Sequence, residues 1–133
     1  MVRQTLRIGR WLVYFFFLTD DYDRETIMSF LETFDASDEV IQRVEDIMSD
    51  WHFNWGFTFS NPDIRRSVVV IGPSSSGAEF VNSLAHELHH LSVAIADSLG
   101  YELNGETPAY IQGDTMGEFL SLICELGCER CRG

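Results

Sequence analysis

Ser76-Gly-Ala-Glu-Phe80-Val-Asn-Ser-Leu84-Ala-His86-Glu87-Leu88-His89-His90-Leu91-Ser-Val-Ala-Ile95-Ala-Asp97-Ser-Leu99 contains no proline and repeats Phe80, Leu84, Leu88, Leu91 and Ile95 at helical spacing. That pattern predicts one long helix with a single buried side, and Gly100 closes it as a C-cap. Within the helix, His86 and His90 stand four residues apart and so project from the same face. Both imidazoles can reach one zinc ion, and Glu87 beside them is positioned to hold a water. An H-E-x-x-H helix of this kind is the core of a zinc hydrolase site.

Outward from this helix, Gly72-Pro73-Ser-Ser-Ser-Gly77 breaks the chain on its N-terminal side. Before the break, Trp55 to Phe59 and Ser67 to Ile71 are rich in aromatic and β-branched residues, and Asn61-Pro62-Asp63 between them carries turn chemistry, so a hairpin is expected. Further back, Val40, Ile41, Val44, Ile47 and Met48 form one stripe of a helix over Asp38 to Met48. Ile27, Met28, Leu31 and Phe34 form the stripe of another from Asp23, a residue suited to the N-cap, to Phe34. Leu6 to Leu18 reads as a hairpin or a long bent strand, with Gly9-Arg10 as its only turn signal. On the C-terminal side, Pro108 is tolerated only in a first turn, so the last helix begins near Gly105 or Thr107 and runs to about Leu126. Two strands, two helices, two strands and two helices predict an α+β fold, a small and largely antiparallel sheet packed by about four helices.

The 133 residues suffice for a single domain over 1–133, with a tail from about 127 to 133 expected to be solvated or frayed. Against 21 acidic residues stand 9 basic ones, a formal charge of −12, which argues against nucleic acid or an anionic membrane as a partner because both are held through Lys and Arg. Arg3, Arg7 and Arg10 before the apolar run Trp11 to Leu18 imitate the start of a secretory signal, but Thr19-Asp20-Asp21 stands where a small-residue cleavage site belongs. The run is also far short of the roughly 20 residues that span a bilayer, and its composition favours a buried strand. Cys124, Cys128 and Cys131 are odd in number and crowded together, which suits a reducing compartment, so a cytoplasmic protein is expected. The lone C-x-x-C supplies two thiolates where a structural zinc needs four ligands.

A catalytic zinc needs a third protein ligand and an open position. Asp97 shares the histidine face but stands about 10.5 Å along the axis from His90, too far for a zinc–oxygen bond of about 2.0–2.2 Å. It is either an acceptor for an imidazole N–H or an exposed carboxylate. His89 points roughly 100° away from His90, to the surface or to the periphery of the site. Glu106 is better placed, because the turn over Gly100 to Gly105 lets the next helix lie back across the histidine helix. Ala109, Gly113 and Gly117 fall near Glu106 on the helical wheel, a side bare of bulk that suggests close packing against its neighbour.

H-E-x-x-H followed by Glu106-Thr-Pro-Ala109-Tyr110 resembles the glutamate-ligand zinc peptidases, of which the ImmA/IrrE-like regulatory peptidases are one group. More closely, Arg66 to Ser76, the H-E-x-x-H helix and Gly105-Glu106 with Ala109-Tyr110 are similar to small metallopeptidase-like proteins of bacterial phages and prophages. The resemblance covers Arg66 to Met116 and implies a minimal zincin-like domain. It implies zinc held by His86, His90 and Glu106, with Glu87 as general base in the cleavage of a peptide or protein substrate. Tyr110, or Tyr101, would add a hydrogen bond to the oxyanion. Val68 to Ile71 leads straight into the active helix, so it is either an edge that holds an extended peptide or a buried central strand. The competing function is an interaction or accessory protein of phage or mobile-element origin that kept the fold without turnover. Retention of Glu87 favours activity, since a purely structural zinc needs no general base.

Overall fold

The computed structural model describes residues 2–49 and 52–127. Strands β1 (Val2–Ile8) and β2 (Trp11–Phe17) form an antiparallel hairpin in the register Ile8↔Trp11 to Val2↔Phe17. Its two-residue turn places Gly9 at φ +60°, a conformation glycine adopts without steric penalty. The hairpin, one of the two readings open from the sequence, therefore starts four residues earlier than Leu6. A short 3₁₀ turn leads into α1 (Arg24–Thr33), and α2 (Asp38–Ser49) follows. The second hairpin is β3 (Gly56–Asn61) with β4 (Arg66–Ile71).

The sheet order is β1-β2-β4-β3. Its outer pairings are antiparallel, as expected, but the central pair β2 and β4 runs parallel, so the sheet is mixed. After the two helices β3 runs opposite to β2, so its hairpin partner β4 runs in the same direction as β2. Phe15, Phe16 and Phe17 of β2 and Val68 to Ile71 of β4 are almost wholly buried, the continuous apolar run of strands covered on both faces. One face packs Phe16, Val68 and Val70 against Ile27, Leu31, Val44 and Met48 of α1 and α2. The other packs Val13, Phe15, Phe17, Val69 and Ile71 against α3 (Gly77–Ser98).

The side chain of Ser76 caps α3 by accepting from the Glu79 N–H at 3.1 Å, satisfying one of the helix's orphan donors. Asn54 fixes this corner to the start of β3. Its N–H bonds Pro73 O at 2.8 Å, its Oδ1 accepts from the Ser75 N–H at 2.9 Å, and its Nδ2 donates to Ser75 Oγ at 2.9 Å. The entries to β3 and to α3 are thus held to each other.

α4 (Glu106–Glu118) packs against α3 and ends at Phe119, after which a short helix α5 (Leu120–Leu122) and a π turn over Ile123–Gly127 replace the continuous helix expected to Leu126. The break tips Phe119 into the core, fully buried and edge-on to Phe15 and Phe17 with ring centroids 4.6 and 5.3 Å away. The expectation for the tail falls largely on residues 128–133, outside the described residues. No helix among the described residues is long and apolar enough to cross a membrane.

Candidate active site

The exposed face of α3 presents His86 and His90, while the buried side of the same helix carries Glu87, 6% exposed. The two imidazoles meet edge-on, with their Nε2 atoms 3.2 Å apart. Two nitrogens at about 2.0–2.1 Å from one tetrahedral zinc stand roughly 3.3–3.4 Å from each other, so this pair fits a shared ion. Glu87 lies against them: its Oε2 is 4.0 Å from His86 Nε2.

The edge strand β3 determines how Glu87 is held. Thr58 Oγ1 donates to Glu87 Oε1 at 2.9 Å and also lies 3.2 Å from the Glu87 carbonyl oxygen. With Oε1 engaged, Oε2 is the oxygen left facing the histidines. One position earlier on the same face, Gly56 leaves room for the carboxylate. A Cβ there would fall 2.9 Å from Val70 O, 3.2 Å from Glu87 Cγ and 3.3 Å from Oε2. A cleft of about 390 Å³ opens over this edge, with Gly56, Thr58 and Ser60 along its floor. His86, Glu87 and His90 of α3 line one bank, and Arg43 and Ile47 of α2 the other.

Gly56, Thr58, Ser60 and Arg43 escaped the sequence reading. The alternation Gly56-Phe57-Thr58-Phe59-Ser60 separates a small, polar face from an aromatic one, but only the pairing of β3 outside β4 shows that the small face meets Glu87. The same pairing decides between the two readings of Val68 to Ile71. β4 has β2 on one side and β3 on the other, so it is the buried central strand, and the free edge beside α3 belongs to β3.

Glu106 opens α4 as its first residue and is exposed. Among the described residues, no third His, Cys, Asp or Glu joins His86 and His90 in a group able to hold a metal. The expected close packing of the Glu106 side of α4 is overturned: Ala109, Gly113 and Gly117 are exposed, and a Cβ on either glycine would meet nothing within 4 Å. The helix turns Pro108, Ile111, Gln112, Thr115 and Met116 inward instead, because those residues carry the apolar surface. Gln112 Nε2 donates to Ala85 O of α3 at 3.1 Å. Tyr110 and Tyr101 are 64% and 54% exposed, and neither lines the cleft. Asp97 is exposed and makes no hydrogen bond to an imidazole, and His89 is exposed with its ring centroid 6.2 Å from that of His90. Cys124 is a free, exposed cysteine; Cys128 and Cys131 lie outside the described residues.

No family model matches this chain, and neither curated proteins nor solved structures yield a significant match.

Proposed function

We propose that this chain is a minimal zincin-like, zinc-dependent peptidase acting in the cytoplasm on a peptide or protein. The observation that carries the reading is the His86/His90 pair, Nε2 atoms 3.2 Å apart, beside a buried Glu87 whose Oε2 faces it at 4.0 Å. A water-activating carboxylate of this kind has no purpose at a purely structural site. His86 and His90 supply two ligands. We assign the third to Glu106, whose carboxylate makes no hydrogen bond or ion pair among the described residues. A bound zinc ion lowers the pKa of its water towards about 7 and polarises the substrate carbonyl.

The chain's own residues do the rest. The open edge of β3 pairs with an extended peptide and lays its backbone across the cleft. Thr58 anchors Oε1 of Glu87, so Oε2 takes the proton of the water that attacks the peptide carbonyl and then delivers it to the departing amine as the C–N bond breaks. The crowding of cysteines near the C-terminus supports the reducing compartment.

Zinc per chain, measured by plasma mass spectrometry on untagged protein beside the Glu106→Ala and Glu87→Gln variants, tests the reading. The expected results are near one zinc in the parent, a clear loss in Glu106→Ala, and full zinc with no peptide hydrolysis in Glu87→Gln. A well-folded parent that takes up no zinc on addition overturns it and leaves the accessory-protein reading.

A further inference from the structure

Arg43 is a solvent-exposed cation at the cleft. It lies on α2, across the β3 edge from the histidines, and lines the cleft. Its own helix carries four carboxylates, Asp38, Glu39, Glu45 and Asp46. Glu45 is committed to Arg24 at 3.7 Å, and Asp46 accepts from Gln42 Nε2 at 3.0 Å. Glu39, one helical turn before Arg43, does not bond it either, so that among the described residues Arg43 makes no hydrogen bond or ion pair.

The charge of the cleft reinforces the point. Among the described residues Glu87 is the only carboxylate that lines it, and Glu87 is buried and tied to Thr58. The molecule as a whole repels anions, but a charge more than about 8–10 Å away is largely screened at physiological salt, so the guanidinium governs what happens within hydrogen-bonding reach of it. A peptide added to the β3 edge turns alternate side chains to opposite sides of the sheet. One set faces the histidines, and the other faces the α2 bank with Arg43 and Ile47.

Resting on the peptidase reading of this cleft, we infer that Arg43 selects peptide substrates with an acidic side chain at a position facing α2. Arg43 engages that carboxylate through its planar fork of N–H donors. Ile47, four residues on along the helix, supplies apolar contact for the stem of the same side chain.

The zinc-loaded Glu87→Gln protein, which holds peptide without turning it over, is panned against a random peptide library, with Glu87→Gln/Arg43→Glu and Glu87→Gln/Arg43→Ala beside it. The expected result is enrichment of Asp and Glu at one position by about tenfold (1.4 kcal/mol). That preference should be lost with Arg43→Ala and exchanged for Lys and Arg with Arg43→Glu, at unchanged zinc content. Selected peptides without acidic preference, or a preference that survives both substitutions, overturn the role of Arg43 and leave the peptidase reading standing. Arg43-dependent selection by a protein whose Glu87 form hydrolyses none of the selected peptides supports the acidic-peptide site and overturns the peptidase. A library that yields no peptide at all overturns both.

Discussion

Thr58 and Glu87 show how much of a site one hydroxyl can settle. A carboxylate 6% exposed needs partners for its oxygens, and Thr58 supplies one at 2.9 Å while leaving Oε2 towards the histidines. Thr58→Val keeps the shape and removes the donor. Losing a hydrogen bond to a charged group costs about 1.5–3 kcal/mol, so under the proposed peptidase function kcat of the zinc-loaded protein should fall about 10- to 100-fold with KM nearly unchanged. Zinc content should stay near one per chain, since Thr58 touches no ligand, and Thr58→Ser should restore the rate. Steady-state kinetics with any cleaved peptide decides: equal kcat in parent and Thr58→Val would mean that Glu87 does not depend on this anchor. The motif itself needs no structure to be read, because four-residue spacing on a helix dictates a shared face. Thr58 was not legible, since nothing local to Gly56-Phe57-Thr58 records which helix lies over it.

Among the elements, the amphipathic helices and the apolar central strands followed from periodicity, whereas α4 did not. Its pattern offered two sides, a bare one with Glu106, Ala109, Gly113 and Gly117 and a mixed one with Ile111, Gln112, Thr115 and Met116. Bareness suggested close approach, but burying Ile111 and Met116 beside Phe119 removes more apolar surface from water than bringing two glycines close would. The outcome has a thermodynamic signature. A Cβ at Gly113 or Gly117 meets nothing within 4 Å, so Gly113→Ala/Gly117→Ala should stabilise the fold by about 0.5–1 kcal/mol per site through helix propensity. Urea unfolding of the double variant measures it. A lowered midpoint would show that added bulk on the glycine side does disturb the packing of α4. The parallel pairing of β2 with β4 was equally hidden at this scale, although the unbroken apolar runs of both strands are the signature of double-sided cover.

For the whole molecule, the three-layer arrangement explains why His86 and His90 stand together while Glu106, the proposed third ligand, belongs to a separate element. His86 and His90 ride on a helix fixed by the main core through Leu84, Leu88 and Leu91, whereas Glu106 follows the exposed turn over residues 99–105 at the start of a helix packed only from one side. Zinc that binds the folded chain and not the unfolded one stabilises it by mass action, about 2.7 kcal/mol at a free concentration one hundred times its Kd. For a chain of this size that is a rise in Tm on the order of 10 °C, reversed by a chelator. If Glu106 closes the site, part of that gain comes from its carboxylate. Glu106→Ala should then give a smaller rise at the same zinc concentration, while its metal-free Tm stays close to the parent's because the exposed side chain makes no contact that folding depends on. Thermal scans of both proteins with and without zinc separate the cases. Equal rises would remove Glu106 from the ligand set, and a two-histidine grip with water would be what remains.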